Sequence, residues 1–268
     1  GRRPRSFLPA QQALDLFERY LEQDRLLEAG PLITHYRLLD RLDLGTLRKL
    51  YRYYKATGYW NLARLALTQV AAKTRRGGDR KALTQLERDI AVFSNPTSVN
   101  AELRSAHVYD ATGPILHMVG RVLPETQSGY TLRTHYTAQA QARRDLPVAV
   151  VGQSGITKDT VEKTTHYAHE GVDYYLLPGP ARGGALIDVW LRTNIEGLAE
   201  LVRRLRPSVL HAHSDFHNAL IVHAVGTAFG IPTVYETRGF WEESWLTRAI
   251  STQGWNKNAE NIFATYGH

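Results

Sequence analysis

The stretch from Ser208 to Glu243, SVLHAHSDFHNALIVHAVGTAFGIPTVYETRGFWEE, constrains the fold more than any other part of the chain. Ser208–Ala212 is a short apolar run closed by a polar cluster. Asn218–Phe229 is apolar at helical spacing, and Gly230 followed by Pro232 stops it. Pro232–Tyr235 is a second short apolar run. The order is strand, loop, helix, strand, loop. Both strands spill polar residues at their carboxyl ends: His211, His213 and Ser214 after the first, Glu236, Thr237 and Arg238 after the second. In an open parallel sheet, that edge is where ligands bind.

The segments upstream read the same way. Pro114–Val122 is a short apolar strand running into a loop broken by Pro124 and Gly129, and Thr131–Arg144 reads as a helix. Leu146–Val151 and Asp173–Leu177 are further strands. Ala185–Arg206 is a long amphipathic helix whose stripe is Leu191, Ile195, Leu198, Leu201, Val202 and Leu205, and Pro207 closes it. Strands alternating with helices predict an α/β fold with a Rossmann-like, doubly wound parallel sheet.

The first hundred residues differ. Leu14, Phe17 and Leu21 keep helical spacing, as do Leu47, Leu50, Tyr51 and Tyr54, then Leu62, Leu65, Ala66 and Val70, then Leu83, Leu86, Ile90 and Phe93. Gly58 and Gly77-Gly78 separate the last three sets. Thr46–Thr57, Tyr59–Arg75 and Asp79–Phe93 therefore read as helical hairpins, loosely tetratricopeptide-like, without that repeat's full pattern. The aromatics Tyr51, Tyr53, Tyr54, Tyr59 and Trp60 read as core in preference to a groove. The polar segment 94–100 is the expected boundary, giving a helical domain over 1–100, an α/β domain over 101–250 and a linker over 251–268.

Charge follows this division. Residues 1–100 carry 18 Lys+Arg against 10 Asp+Glu, and the remainder 15 against 16. A solvated basic surface accounts for the excess. An anionic membrane surface or an acidic protein partner is the alternative, and no recognised motif supports nucleic acid. There are no cysteines, which excludes disulfides, thiolate metal sites and thiol catalysis. No run reaches the roughly 18 apolar residues of a membrane span. The start, GRRPRSFLP, lacks a signal peptide's apolar core, so the expectation is cytoplasmic, with peripheral attachment to the inner face of a membrane as its variant.

The chemistry-bearing positions are few. There is no G-x-G-x-x-G and no P-loop, so dinucleotide cofactors are not expected. Gly129 opens a helix after a strand, where backbone N–H groups can approach a phosphate, though a turn glycine reads equally well. His211 and His213, two apart on a strand, share a face. Their spacing indicates no third ligand, and the sequence predicts no metal. Lining of a sugar site, or a satisfied buried role for His211, is favoured instead. Arg238 sits directly at a strand end, where surface pairing explains it less well than it explains Glu242 and Glu243.

Taken together, HMVGRVLPETQSGYTLRTH and PSVLHAHSDFHNALIVHAVGTAFGIPTVYETRGFWEES resemble the amino-terminal domain of retaining glycosyltransferases of family 4, with the GT-B architecture. The resemblance covers roughly residues 113–248. It implies sugar transfer from a nucleotide-diphosphate-sugar, as substrate with no further cofactor, to a sugar, lipid, polysaccharide or peptide acceptor. It implies that Ser128 and Gly129 approach the donor phosphates, that His213, Glu236 and Arg238 carry catalysis, and that His211, Ser214, Trp241 and Glu242 face the acceptor. Many members have a histidine where this chain has Arg238. The family's second, donor-binding domain would follow His268, so the expectation is an amino-terminal fragment inactive on its own. A GT-B-type sugar-nucleotide epimerase, or a helical recruitment module with a passive α/β scaffold, are the competing readings.

Overall fold

A computed structural model describes residues 8–99, 103, 109–157, 162–240, 243, 244 and 247. The chain divides into two compact units, one made of Gly1–Ile90 together with Leu246–His268, the other of Ala91–Trp245.

The first unit is helical: α1 Ala10–Glu22, α2 Leu26–Tyr36, a 3-10 turn Leu38–Arg41, α3 Leu44–Ala56, α4 Trp60–Thr74 and most of α5 Gly77–Ser94. Helix α2 carries Pro31 in its interior, a residue that argues against a helix on propensity alone. The glycine pair Gly77-Gly78 opens α5. Phe17, Leu26, Ile33, Leu47, Leu50, Leu67, Val70 and Leu86 are buried together. Tyr54 belongs to the same core, so the aromatic stripe is core at this position, and its hydroxyl donates to the Leu26 carbonyl at 2.6 Å.

The second unit is α/β. Its strands are β1 Ile115–Val119, β2 Val148–Gly152, β3 Thr165–His169, β4 Val172–Leu176, β5 Val209–His213 and β6 Thr233–Glu236. Its helices are α6 Gly129–Ala142, α7 Ile187–Leu205 and α8 Phe216–Phe229. The sheet order is β3-β4-β2-β1-β5-β6, with every pairing parallel except β3–β4. Strand β3 was not anticipated. It joins β4 through Glu170-Gly171, with φ of 45° and 80°, the two-residue hairpin turn that needs positive φ at both positions.

Side chains alternate across the sheet. One face, with Leu116, Met118, Ala149, Val151, Leu210 and Ala212, packs on Trp190, Leu191, Ile195 and Leu198 of α7 and Ile221, Val225 and Phe229 of α8. The other face sets Val119, Val150, Tyr174 and Leu176 against Ala138 of α6. Helix α8 lies close to β6. A Cβ on Gly226 would meet Thr233 Cγ2 at 2.2 Å, so that position requires glycine.

The chain leaves β1 toward β2 and β4 on one side and later returns to place β5 and β6 on the other. The order reverses between β1 and β5, and a crevice forms at the carboxyl ends of strands where such a reversal occurs.

Candidate functional site

A pocket of about 190 Å³ occupies that crevice. Val119, Gly120 and Arg121 enter it from the end of β1, Gln153 from β2, His213, Ser214 and Asp215 from β5, Tyr130 and Thr134 from α6, and Arg238 from beyond β6.

Arg238 ties these elements together. Its side chain is 2% exposed, and a buried cation is tolerated only when paired. Nε donates to Glu236 Oε1 at 2.9 Å and Nη2 to Oε2 at 3.3 Å. Nη1 donates to the Tyr130 carbonyl at 3.0 Å and to Thr134 Oγ1 at 2.6 Å. Four of the five guanidinium N–H groups therefore have partners within the protein, and the fork fixes the end of β6 against the first turns of α6. The Arg238 backbone N–H donates to Ser214 Oγ at 2.7 Å. Burial pushes the Glu236 carboxyl upward, but the hydrogen bond and charge of Arg238 outweigh it and hold the group below the usual range.

Helix α6 begins with a capping box. The Thr131 N–H donates to Ser128 Oγ at 3.4 Å, and the Ser128 N–H to Thr131 Oγ1 at 2.9 Å. Ser128 is thus committed to the helix end, and Tyr130 and Thr134 are the α6 residues in the pocket wall. A Cβ on Gly129 would meet nothing within 4 Å, so packing does not demand glycine there.

Behind the pocket lies a group of imidazoles. Register places His117 beside His211 on β1 and β5, and Glu236 beside His213 on β6 and β5, all on one face of the sheet. His117 and His213 are fully buried and His211 partly so. His117 Nδ1 lies 2.8 Å from His213 Nε2, and His117 Nε2 lies 2.7 Å from Gln141 Oε1. Burial pushes His117 down to about 4 and, with Arg238 nearby, His213 down to about 2; it lowers His211 as well. The rings are therefore neutral near pH 7. His213 Nδ1 stands 2.9 Å from Glu236 Oε2, a contact of a neutral ring with a carboxylate.

The structure thus brings together His213, Glu236, Arg238, His211 and Ser214. Trp241 and Glu242 lie outside the described residues. His117, Gln141, Tyr130, Thr134 and Gln153 went unread. Gln153 Nε2 donates to Asn218 Oδ1 at 2.7 Å, which links β2 to α8 below the pocket. Asp215 caps α8 by accepting from the His217 N–H at 3.1 Å.

A family model described as a glycosyl transferase 4-like domain matches residues 128–264, just over half of the chain. The chain belongs to this family. No curated protein matches it in sequence. The matched span of the glycosyl transferase 4-like domain contains α6, β5, α8, β6 and Arg238. His117 and the Val119–Arg121 wall of the pocket precede it. Among the described residues no helix is long and apolar enough to cross a membrane.

Proposed function

We propose that the α/β unit serves a retaining transfer of a sugar from a nucleotide-diphosphate-sugar to an acceptor hydroxyl, within a GT-B type of architecture. One observation carries this reading. The pocket at the strand-order reversal collects Arg121, Arg238 and the amino-terminal turns of α6, an arrangement suited to a diphosphate. Membership of the glycosyltransferase family supports it.

In this reading the bond from the sugar's anomeric carbon to the diphosphate oxygen breaks, and a bond to the acceptor oxygen forms on the same face. Asp215 is the carboxylate in the described pocket wall, and its Oδ1 is held by the α8 cap and His217. In this reading the acceptor proton passes to the departing diphosphate. The protein contributes position and fixed charge. Arg238, set rigidly by Glu236, faces the charge that grows on the leaving group. His211 and Ser214 lie on the acceptor side.

Transfer from a panel of nucleoside-diphosphate sugars, measured with this chain joined to the donor-binding half that the GT-B reading requires, tests the assignment. Arg238→Ala is expected to lower kcat by about 10²–10³ with a smaller change in KM. Arg238→Lys, which keeps the charge and loses the fork, is expected to fall between. Unchanged turnover in Arg238→Ala removes Arg238 from the mechanism. Recovery of an epimerised nucleotide sugar in place of a transferred sugar replaces this reading with an epimerase.

A further inference from the structure

The imidazoles and Arg238 belong to one circuit. His117 Nε2 meets the side-chain amide of Gln141, in the last turn of α6, at 2.7 Å, and His117 Nδ1 meets His213 Nε2 at 2.8 Å. His213 Nδ1 stands 2.9 Å from Glu236 Oε2, and Glu236 accepts from Arg238 at 2.9 and 3.3 Å. Arg238 Nη1 then returns to α6, at the Tyr130 carbonyl and Thr134 Oγ1. The path leaves one end of α6, crosses β1, β5 and β6, and comes back to the other end.

Its protons are placed by elimination. Both rings are neutral, so each carries one proton on one nitrogen. One proton lies between His117 Nδ1 and His213 Nε2, because two bare lone pairs repel at 2.8 Å. If His213 Nε2 holds it, His213 Nδ1 is bare and faces a carboxylate oxygen, and that contact repels. If His117 Nδ1 holds it, the His213 proton sits on Nδ1 and the contact with Glu236 attracts. No aligned hydrogen bond forms there, so the sign of the charges decides. His117 Nε2 is then an acceptor, and a half-turn of the Gln141 amide brings an N–H to that nitrogen. Among the described residues nothing else holds this side-chain amide, so the half-turn breaks no other bond. One ordering satisfies every contact: Gln141 donates to His117, His117 donates to His213, and His213 turns its proton toward Glu236.

We propose that Gln141 and His117 are positioning residues for the pocket, the start of a one-way chain of N–H donors that ends on Glu236 and holds it, and through it Arg238, in place. Neither residue lines the pocket. The Glu236 side chain is 34% exposed, so burial alone does not fix its carboxylate. A buried polar network with every member satisfied rigidifies its site, and one broken link leaves polar groups unpaired where the dielectric is low. What Arg238 then does for a leaving group rests on the transfer reading above; the order of the protons does not.

The first measurement uses the unaltered chain and needs no activity. Nitrogen NMR of the histidine rings is expected to show Nδ1–H on both His117 and His213, the tautomer that free histidine in water disfavours. A proton on Nε2 of either ring overturns the proposal. The second uses two variants of like polarity. An asparagine amide reaches the place of His117 Nδ1 and still donates to His213, whereas a glutamine amide reaches the place of Nε2 and does not. In the chain itself, the Arg238 Nε–H signal should stay slow to exchange with water in His117→Asn and exchange quickly in His117→Gln. Equal behaviour of the two variants in that signal means that His117 only fills space, and overturns the proposal. With the chain joined to the donor-binding half, His117→Gln is expected to lower kcat about tenfold or more with little change in KM, and His117→Asn to keep most of the turnover. Full turnover in His117→Gln beside an impaired Arg238→Ala overturns the proposal and leaves the transfer reading standing. If no form transfers sugar while both NMR results hold, the transfer reading falls and the chain of donors stands.

Discussion

At the scale of single residues, buried polar groups decide more than their number suggests. Tyr54 shows this in the helical unit. Its ring is part of the core, and its hydroxyl satisfies the Leu26 carbonyl. Tyr54→Phe keeps the shape and removes this hydrogen bond, a loss of about 1 kcal/mol of stability by denaturant titration. An unchanged midpoint would mean that water reaches that carbonyl. A polar side chain at a strand end is a signal that the sequence shows directly. Glu236 and Arg238 were legible for that reason, as was the shared face of His211 and His213. His117 was not. Alternation along β1 tells which face it takes, but nothing local says that a strand 96 residues later supplies its neighbour. Nor did the spacing of two histidines hint that a carboxylate from the next strand would stand between them.

At the scale of elements, the alternation of apolar runs and helical stripes disclosed five of the six described strands and the three described helices around them. The missed strand, β3, reads THYAH, with little apolar content, and one of its faces looks outward. Its signal was the Glu170-Gly171 pair ahead of an already recognised strand. Helix α2 was hidden by its proline. Packing adds what propensity omits. Gly226 lies within a helix, where glycine is unfavourable, and its role is to let α8 approach Thr233 of β6. Gly226→Ala should therefore destabilise by about 1–3 kcal/mol, despite alanine's better helix propensity. A gain in thermal midpoint would contradict this close approach. The displacement should also reach the pocket, because β6 runs directly into Arg238.

At the scale of the whole molecule, the two units carry separate cores, and the basic excess of the sequence lies in its first hundred residues. The site belongs wholly to the α/β unit, and its position depends on strand order. The reversal between β1 and β5 has a consequence in time. Strand β1 pairs Ile115 with Val148 on one side and with Val209 on the other. Arg238 reaches back 108 residues to the Tyr130 carbonyl. Closing long loops is entropically costly and slows folding, so the half-sheet β1-β2-β4 can assemble while β5 and β6 are still unplaced. Pulse-labelled hydrogen exchange during refolding is expected to protect the amides of β2 and β4 before those of β6, and simultaneous protection would contradict this sequence of events. On a ribosome the same order holds without denaturant. Arg238 can meet its α6 partners only once most of the α/β unit has emerged, so a nascent chain interrupted earlier carries half a sheet and no pocket.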